Sequence, residues 1–300
     1  MLDDYWRMFA TRYRGRSTIW AYDLRNEPEV GWDSPGLRTR WEAWRKEHGL
    51  EPVPVPDAKA VPPASSLADY QRFRENLAET WVARQSQAIH AADPDALVTV
   101  GLIQWSVPAQ RLTLSQYAAF RPSLIARHLD FMELHFYPLA ADCYESAAGE
   151  TANLAVVESM ARECAKKGLP VVIAEFGWYG GGALKPGGKP ATEEQQAQWC
   201  RRLVEVTSPM ACGWINWGLH DQPEASDCSK LAGLFTAGGN EKAWGRSFRD
   251  LAARYQAKPP VYALPKRPDL PWEACIASSE AMEKFRKDYL AAFLAEGKVK

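Results

Sequence analysis

Apolar positions along this chain follow two periods in turn. Leu2, Tyr5, Trp6, Phe9 and Tyr13 recur at helical spacing and Gly15 supplies a stop, which predicts a helix over Leu2 to Arg14. A β-rich run from about Ser17 to Asp23 comes next. The wider stretch Thr18 to Pro28 ends at Asn26-Glu27-Pro28, where proline has no N–H to continue a ladder. The helical period returns with Leu67, Tyr70, Phe73, Leu77, Trp81 and Ile89, with Ser66 as cap and Asp93-Pro94 as stop. Leu97 to Ile103 is then a continuous apolar run of the kind found in strands buried on both faces.

The alternation continues. A broken helical segment, Ser115 to His128 with Pro122 inside it, leads into a strand within Leu129 to Pro138. Leu154, Val157, Met160 and Cys164 share one face of a helix over about Thr151 to Lys167, closed by Gly168. Pro170 to Trp178 reads as the fourth strand, and Thr192 with Gln195 forms a capping box for a helix to about Val206. Cys212 to Gly218 is the fifth strand, and a helix over about Lys242 to Tyr255 follows it. Strands alternating with helices predict an α/β fold with a parallel sheet and helical crossovers.

The expected organisation is one domain over residues 1–257, then a proline-rich linker and a C-terminal helix over 258–300, the helix near Ser279 to Glu296. The long connection Glu29 to Ser66 holds a short helix near Leu37 to His48 and a proline-rich run from Pro52 to Pro63. It follows a strand-end glutamate and is expected to build part of a cleft wall.

Composition narrows the function classes. A net charge of −1 with a pI near 6.5 provides no basic stripe, so no nucleic-acid partner is expected and a neutral substrate suits the chain. No run approaches a membrane span, and Met1-Leu2-Asp3-Asp4 is acidic where a secretory leader is basic, so the sequence assigns no location. The six cysteines include no Cys-x-x-Cys pair; Cys164 and Cys200 read as buried thiols, while Cys212 and Cys228 could bridge. The glycine-rich Gly180 to Gly188 lacks the order of a phosphate loop, and no Gly-x-Ser-x-Gly elbow occurs. The five histidines are dispersed and no His-Glu-x-x-His occurs, so neither metal nor cofactor is expected.

What remains is a set of polar and aromatic groups at strand ends: Asn26 and Glu27, His135 and Tyr137, Glu175, and Trp217. In a parallel barrel such ends converge on one face, so Glu27 and Glu175 could face each other. Two opposed carboxylates are what glycosidic cleavage needs, one to protonate the leaving oxygen and one to attack or stabilise the anomeric carbon. Trp32, Trp105, Trp178 and Trp217 also fall at strand ends, where flat apolar faces can stack on sugar rings. Each residue taken alone also fits a plain role: Asn26 as a turn former, His135 as a satisfied core histidine, Trp217 as a core filler.

Asn26-Glu27-Pro28, His135-Phe136-Tyr137-Pro138, Ile173-Ala174-Glu175-Phe176-Gly177 and Trp214 to Trp217, in this order, resemble the retaining glycoside hydrolases of clan A, and within it family 5, the cellulase and mannanase family. The resemblance covers about residues 1–256. It implies a (β/α)8 TIM barrel with strands four to eight present here, and a β-linked oligo- or polysaccharide as substrate. It makes Glu27 the acid/base, Glu175 the nucleophile and Asn26 the residue that binds the 2-hydroxyl. It makes Tyr137 a hydrogen-bond partner of the nucleophile, His135 a lining residue and Trp217 the sugar-stacking aromatic. The implied mechanism is double displacement, which asks for carboxyl groups about 5 to 5.5 Å apart, against about 6.5 to 9.5 Å for inversion.

The same resemblance sets three further strands before residue 1, along with an arginine and a histidine that have no counterpart here. The expectation is an incomplete barrel whose open edges promote self-association. Two alternatives accompany it. One is a catalytically inactive sugar-binding remnant of such a barrel. The other is a metal-dependent barrel enzyme of the enolase type, which wants a lysine base or extra acidic ligands that these strand ends do not supply.

Overall fold

The computed structural model describes residues 2–57, 64–139, 143–144 and 146–296. In chain order the elements are α1 (Leu2–Tyr13), β1 (Tyr22–Asn26), α2 (Pro35–Glu47), α3 (Ala64–Ala92), β2 (Val98–Leu102), α4 (Pro122–Ile125), β3 (Met132–Phe136), α5 (Ala147–Ala165), β4 (Val171–Phe176), α6 (Glu193–Thr207), β5 (Gly213–Asn216), α7 (Ala243–Ala257), α8 (Trp272–Ala277) and α9 (Ser279–Ala295). The class is α/β, built from the β/α units that make up TIM barrels. The chain folds as two compact units: the first runs to Met132 and takes back Pro268–Ala291, and the second holds Glu133–Arg267 and the chain from Ala292. No described helix is long and apolar enough to cross a membrane.

In the first unit α3 is the spine. Tyr70 and Phe73 on it pack with Trp41 of α2 into a buried aromatic cluster, against which Trp32, Trp44 and Val53 close. Arg84 and Gln85 at the far end of α3 donate to the Asp3 carboxylate and seat α1. The stripe expected on α1 is only half used. Trp6 and Ala10 are buried, whereas Leu2 and Tyr5 are 50% and 47% exposed.

Two expected boundaries shift here. Thr18 and Ile19 are spent in a turn, in which Ile19 N–H donates to Arg16 O at 2.9 Å, so β1 starts at Tyr22 rather than Ser17 and reaches Asn26. The helix expected to be capped by Ser66 begins at Ala64, which puts Ser66 inside it. Residues 58–63 of the proline-rich run expected over Pro52 to Pro63 lie outside the described residues.

β1 runs parallel to β2 with Tyr22 opposite Val98, Asp23 opposite Thr99 and Asn26 opposite Gly101. β1 therefore uses one more residue than β2 over the same span, which is a bulge. Asp23 fills it: one carboxylate oxygen accepts from Gly101 N–H at 2.9 Å and from Arg25 N–H at 3.1 Å.

The tail segment Pro268–Ala291 belongs to this unit as well. Sequence periodicity did not reveal α8, which spans six residues after Pro271, but Trp272 on it donates to Glu75 Oε1 at 3.1 Å. Glu75 also accepts from Tyr117 OH at 2.6 Å, and burial pushes its carboxyl above the usual carboxylate range.

In the second unit β3, β4 and β5 lie in sequence order, and β4 runs parallel to β5. The β4 register repeats the β1 irregularity: Ile173 faces Trp214 and Phe176 faces Asn216, so again one extra residue falls just before the strand end. Thr192 and Gln195 form the expected capping box of α6. α5 begins four residues before the expected Thr151, with Ser146 as its cap. Arg267 donates to Glu158 Oε1 at 2.7 Å in a buried pair. Cys164 and Cys200 are buried as expected, and Cys212 and Cys228 carry free thiols rather than a bridge.

Candidate active site

Sequence puts Glu27 one residue past a strand that ends at a proline, and the structure shows how that turn is made. Glu27 has φ +46°, a left-handed conformation that side-chain-bearing residues rarely adopt. Holding it there costs about 1 to 2 kcal/mol, which the surroundings must supply. They do so through the backbone: Glu27 N–H donates to Gly101 O at 2.8 Å, next to the bulge that Asp23 fills. Asn26 is exposed and Glu27 half-buried.

The chain beyond Glu27 is tied down by one buried cation. Arg74 on α3 is 1% exposed; it donates to Val30 O and to Gln71 Oε1, and its guanidinium lies 5.2 Å from the Trp32 ring. Burial lowers its pKa to about 10, so it remains charged at neutral pH. Trp32 is held at both ends, its indole N–H donating to Pro56 O at 2.8 Å and its carbonyl accepting from Tyr70 OH. Trp105 follows β2 in a short 3-10 turn and is half-buried.

In the second unit, β3 and β4 bring together groups from two expected strand ends. Tyr137 OH donates to Glu175 Oε1 at 2.8 Å, and His135 Nδ1 stands 3.4 Å from Glu175 Oε2. Both carboxylate oxygens thus face a polar neighbour. His135 is 2% exposed, and its other ring nitrogen, Nε2, is 3.4 Å from Glu133 Oε1. Sequence reasoning passed over Glu133. It sits two residues before His135 on one strand, which puts both on the same face, and that was the available signal.

The two tryptophans of this unit differ. Trp217, just past β5, is 41% exposed, and its indole N–H donates to Ser229 Oγ at 2.8 Å, which fixes the plane of the ring. Asn216 secures the turn below it, donating to the carbonyls of Trp217, Gly218 and Ala232 while accepting from the Trp244 indole at 2.8 Å. Trp178 is 5% exposed and packs against Tyr179, so its faces are covered rather than open for stacking. Its indole N–H finds no acceptor among the described residues. A pocket of about 700 Å³ lies at the opposite ends of β4 and β5, but its lining, which includes Leu169, Trp214, Leu251 and Tyr255, contains no carboxylate.

The cellulase family (glycosyl hydrolase family 5) matches the chain over residues 1–223. No curated protein matches it. Among solved structures, a GH5_18 protein from Streptomyces cattleya in complex with GlcNAc superposes with a TM-score of 0.61 at 17% identity, covering 99% of this chain and 64% of that one. A variant of the same protein in complex with Manb1-4GlcNAc gives a TM-score of 0.61 at 17% identity over 99% of this chain and 65% of that one. A β-galactosidase from Rahnella sp. R3 gives 0.68 at 14% identity, over 97% of this chain and 46% of that one. At these identities the likeness is one of fold. The chain spans 65% of the longest-covered of these three structures and 46% of the least covered.

Proposed function

The chain belongs to glycosyl hydrolase family 5, and from that premise we propose that it hydrolyses β-linked glycosidic bonds between neutral sugars by double displacement, with Glu175 as nucleophile and Glu27 as acid/base. Glu175 attacks the anomeric carbon and forms an ester to the sugar. The bond to the leaving oxygen breaks as the Glu27 carboxylic acid gives it a proton. Water then attacks the same carbon, Glu27 takes its proton, and the ester to Glu175 breaks with the sugar's configuration retained.

The observation that supports this most directly is the grip on Glu175. A hydroxyl at 2.8 Å on one oxygen and an imidazole nitrogen at 3.4 Å from the other favour an ionised, oriented carboxylate, which is what a nucleophile needs. Glu27 adds support through its positive φ at the end of a bulged strand, since strain of that kind collects at functional positions. Trp217 would supply the stacking face and Asn26 a contact to the 2-hydroxyl. The net charge of −1 agrees with an uncharged substrate. The Manb1-4GlcNAc bound by one fold neighbour, the β-galactosidase name of another and the cellulase family of the chain make β-mannosides, β-galactosides and β-1,4-glucans the assay panel.

The test is product stereochemistry. Hydrolysis of an aryl β-glycoside from that panel, followed by proton NMR, is expected to give the β-anomer first. A 2-fluoro glycoside is expected to label Glu175. Early α-anomer, or a label on another carboxylate, overturns the assignment. Saturable sugar binding without turnover would make the chain a binder instead.

A further inference from the structure

Lys242, the residue before α7, is 1% exposed, and a buried ammonium demands partners for all three of its hydrogens. It has them on three separate stretches of chain. Its Nζ lies 2.9 and 3.1 Å from the two carboxylate oxygens of Asp221, 2.9 Å from Gly180 O and 2.8 Å from Leu231 O. Gly180 follows β4 in the segment that carries Trp178. Asp221 and Leu231 flank the part of the connection after β5 that carries Ser229.

Each partner is itself held. Asp221 accepts from Gly233 N–H at 2.9 Å, Gly180 N–H donates to Leu231 O at 3.1 Å, and Gln196 on α6 donates to Leu231 O at 3.3 Å. The packing is close: a Cβ on Gly180 would fall 2.5 Å from Gln196 Cβ, and one on Gly233 would fall 2.4 Å from Asp221 N. The ammonium thus closes the loop that presents Ser229 Oγ to the Trp217 indole at 2.8 Å. Ser229 is further fixed by the Asp227 carboxylate, which accepts its N–H at 2.8 Å and is held below the usual carboxylate range by Ser229.

We propose that Lys242 is a positioning residue for sugar recognition: by drawing Asp221, Leu231 and Gly180 to one point it sets the plane of the Trp217 platform. This rests on the reading of Trp217 as a stacking face, and it adds a residue distant in sequence and without contact to the sugar. An arginine would not replace it, because a planar fork cannot send hydrogens to three divergent acceptors.

Lys242→Met alone leaves the Asp221 charge buried without its cation and is expected to lower the melting temperature. The decisive variant is Lys242→Met with Asp221→Asn, which removes both charges. It is expected to fold, to raise KM for an aryl β-glycoside about tenfold, and to leave kcat within about threefold, the loss of one ordered recognition contact. Hydrogen exchange of the Trp217 indole, assigned by its disappearance in Trp217→Phe, is expected to accelerate in the double variant. A folded double variant with the parent's KM and indole exchange overturns the proposal, as does a loss confined to kcat. If the parent hydrolyses none of the panel, the proposed function fails, and the indole exchange rate decides this inference by itself.

Discussion

Glu27 follows a one-residue bulge at the end of a parallel strand and Glu175 lies within one, and the two positions are built in different ways. At Glu27 the structure fixes the main chain, with a left-handed residue, an N–H bound to Gly101 O and a connection pinned by Arg74. At Glu175 it grips the carboxylate, through Tyr137 and His135. The contrast matches the chemistry assigned to them. A nucleophile must stay ionised and aimed, so donors on its oxygens help; an acid/base must alternate between two protonation states, so positioning through the main chain suits it better.

The strongest way to separate the positions is a leaving group that needs no proton. With a dinitrophenyl β-glycoside, Glu175→Ala is expected to lose about 10⁴-fold or more in kcat/KM, because bond formation to the enzyme is gone. Glu27→Ala should lose little in that first step, but about 10²- to 10⁴-fold on a sugar leaving group. Equal losses on both substrates would remove the distinction.

Tyr137→Phe is a smaller intervention. It deletes one hydrogen bond to a charged oxygen, so kcat/KM is expected to fall about 10- to 100-fold with the fold intact. An unchanged rate would mean that the grip on Glu175 serves packing alone.

The smallest effect concerns stability and isolates the main chain. At position 27, where φ is +46°, Glu27→Gly is expected to be about 1 kcal/mol more stable than Glu27→Ala. At position 175, inside β4, the order should reverse, with Glu175→Ala the more stable by about 0.5 to 1 kcal/mol. Urea unfolding of the four proteins measures both differences. Alanine more stable than glycine at position 27 would show that Glu27 is not strained.

Much of this was legible in the sequence because it was local. The β4 run with its lone carboxylate, the capping box at Thr192 and the proline after Glu27 all announce themselves within ten residues. What stayed hidden depends on register or on distant partners. Thr18 and Ile19 have strand propensity but are consumed by a turn, so β1 moved along the chain and brought Asp23 into the bulge. Arg74 and Lys242 look like ordinary helix and loop cations until folding brings up acceptors 44 and 62 positions away, Val30 O for the one and Gly180 O for the other. Trp178 shares its composition signal with Trp217, and only packing tells a covered ring from an open one.

The seat of Trp272 on Glu75 has a consequence in time. The two residues are 197 positions apart, so at a synthesis rate of about 5 to 20 residues per second the Glu75 carboxylate waits roughly 10 to 40 s on the ribosome for its indole. Glu133 to Arg267, nearly the whole second unit, is made in that interval. The first unit, although its chain starts first, thus completes its burial only after nearly all of the second has been made.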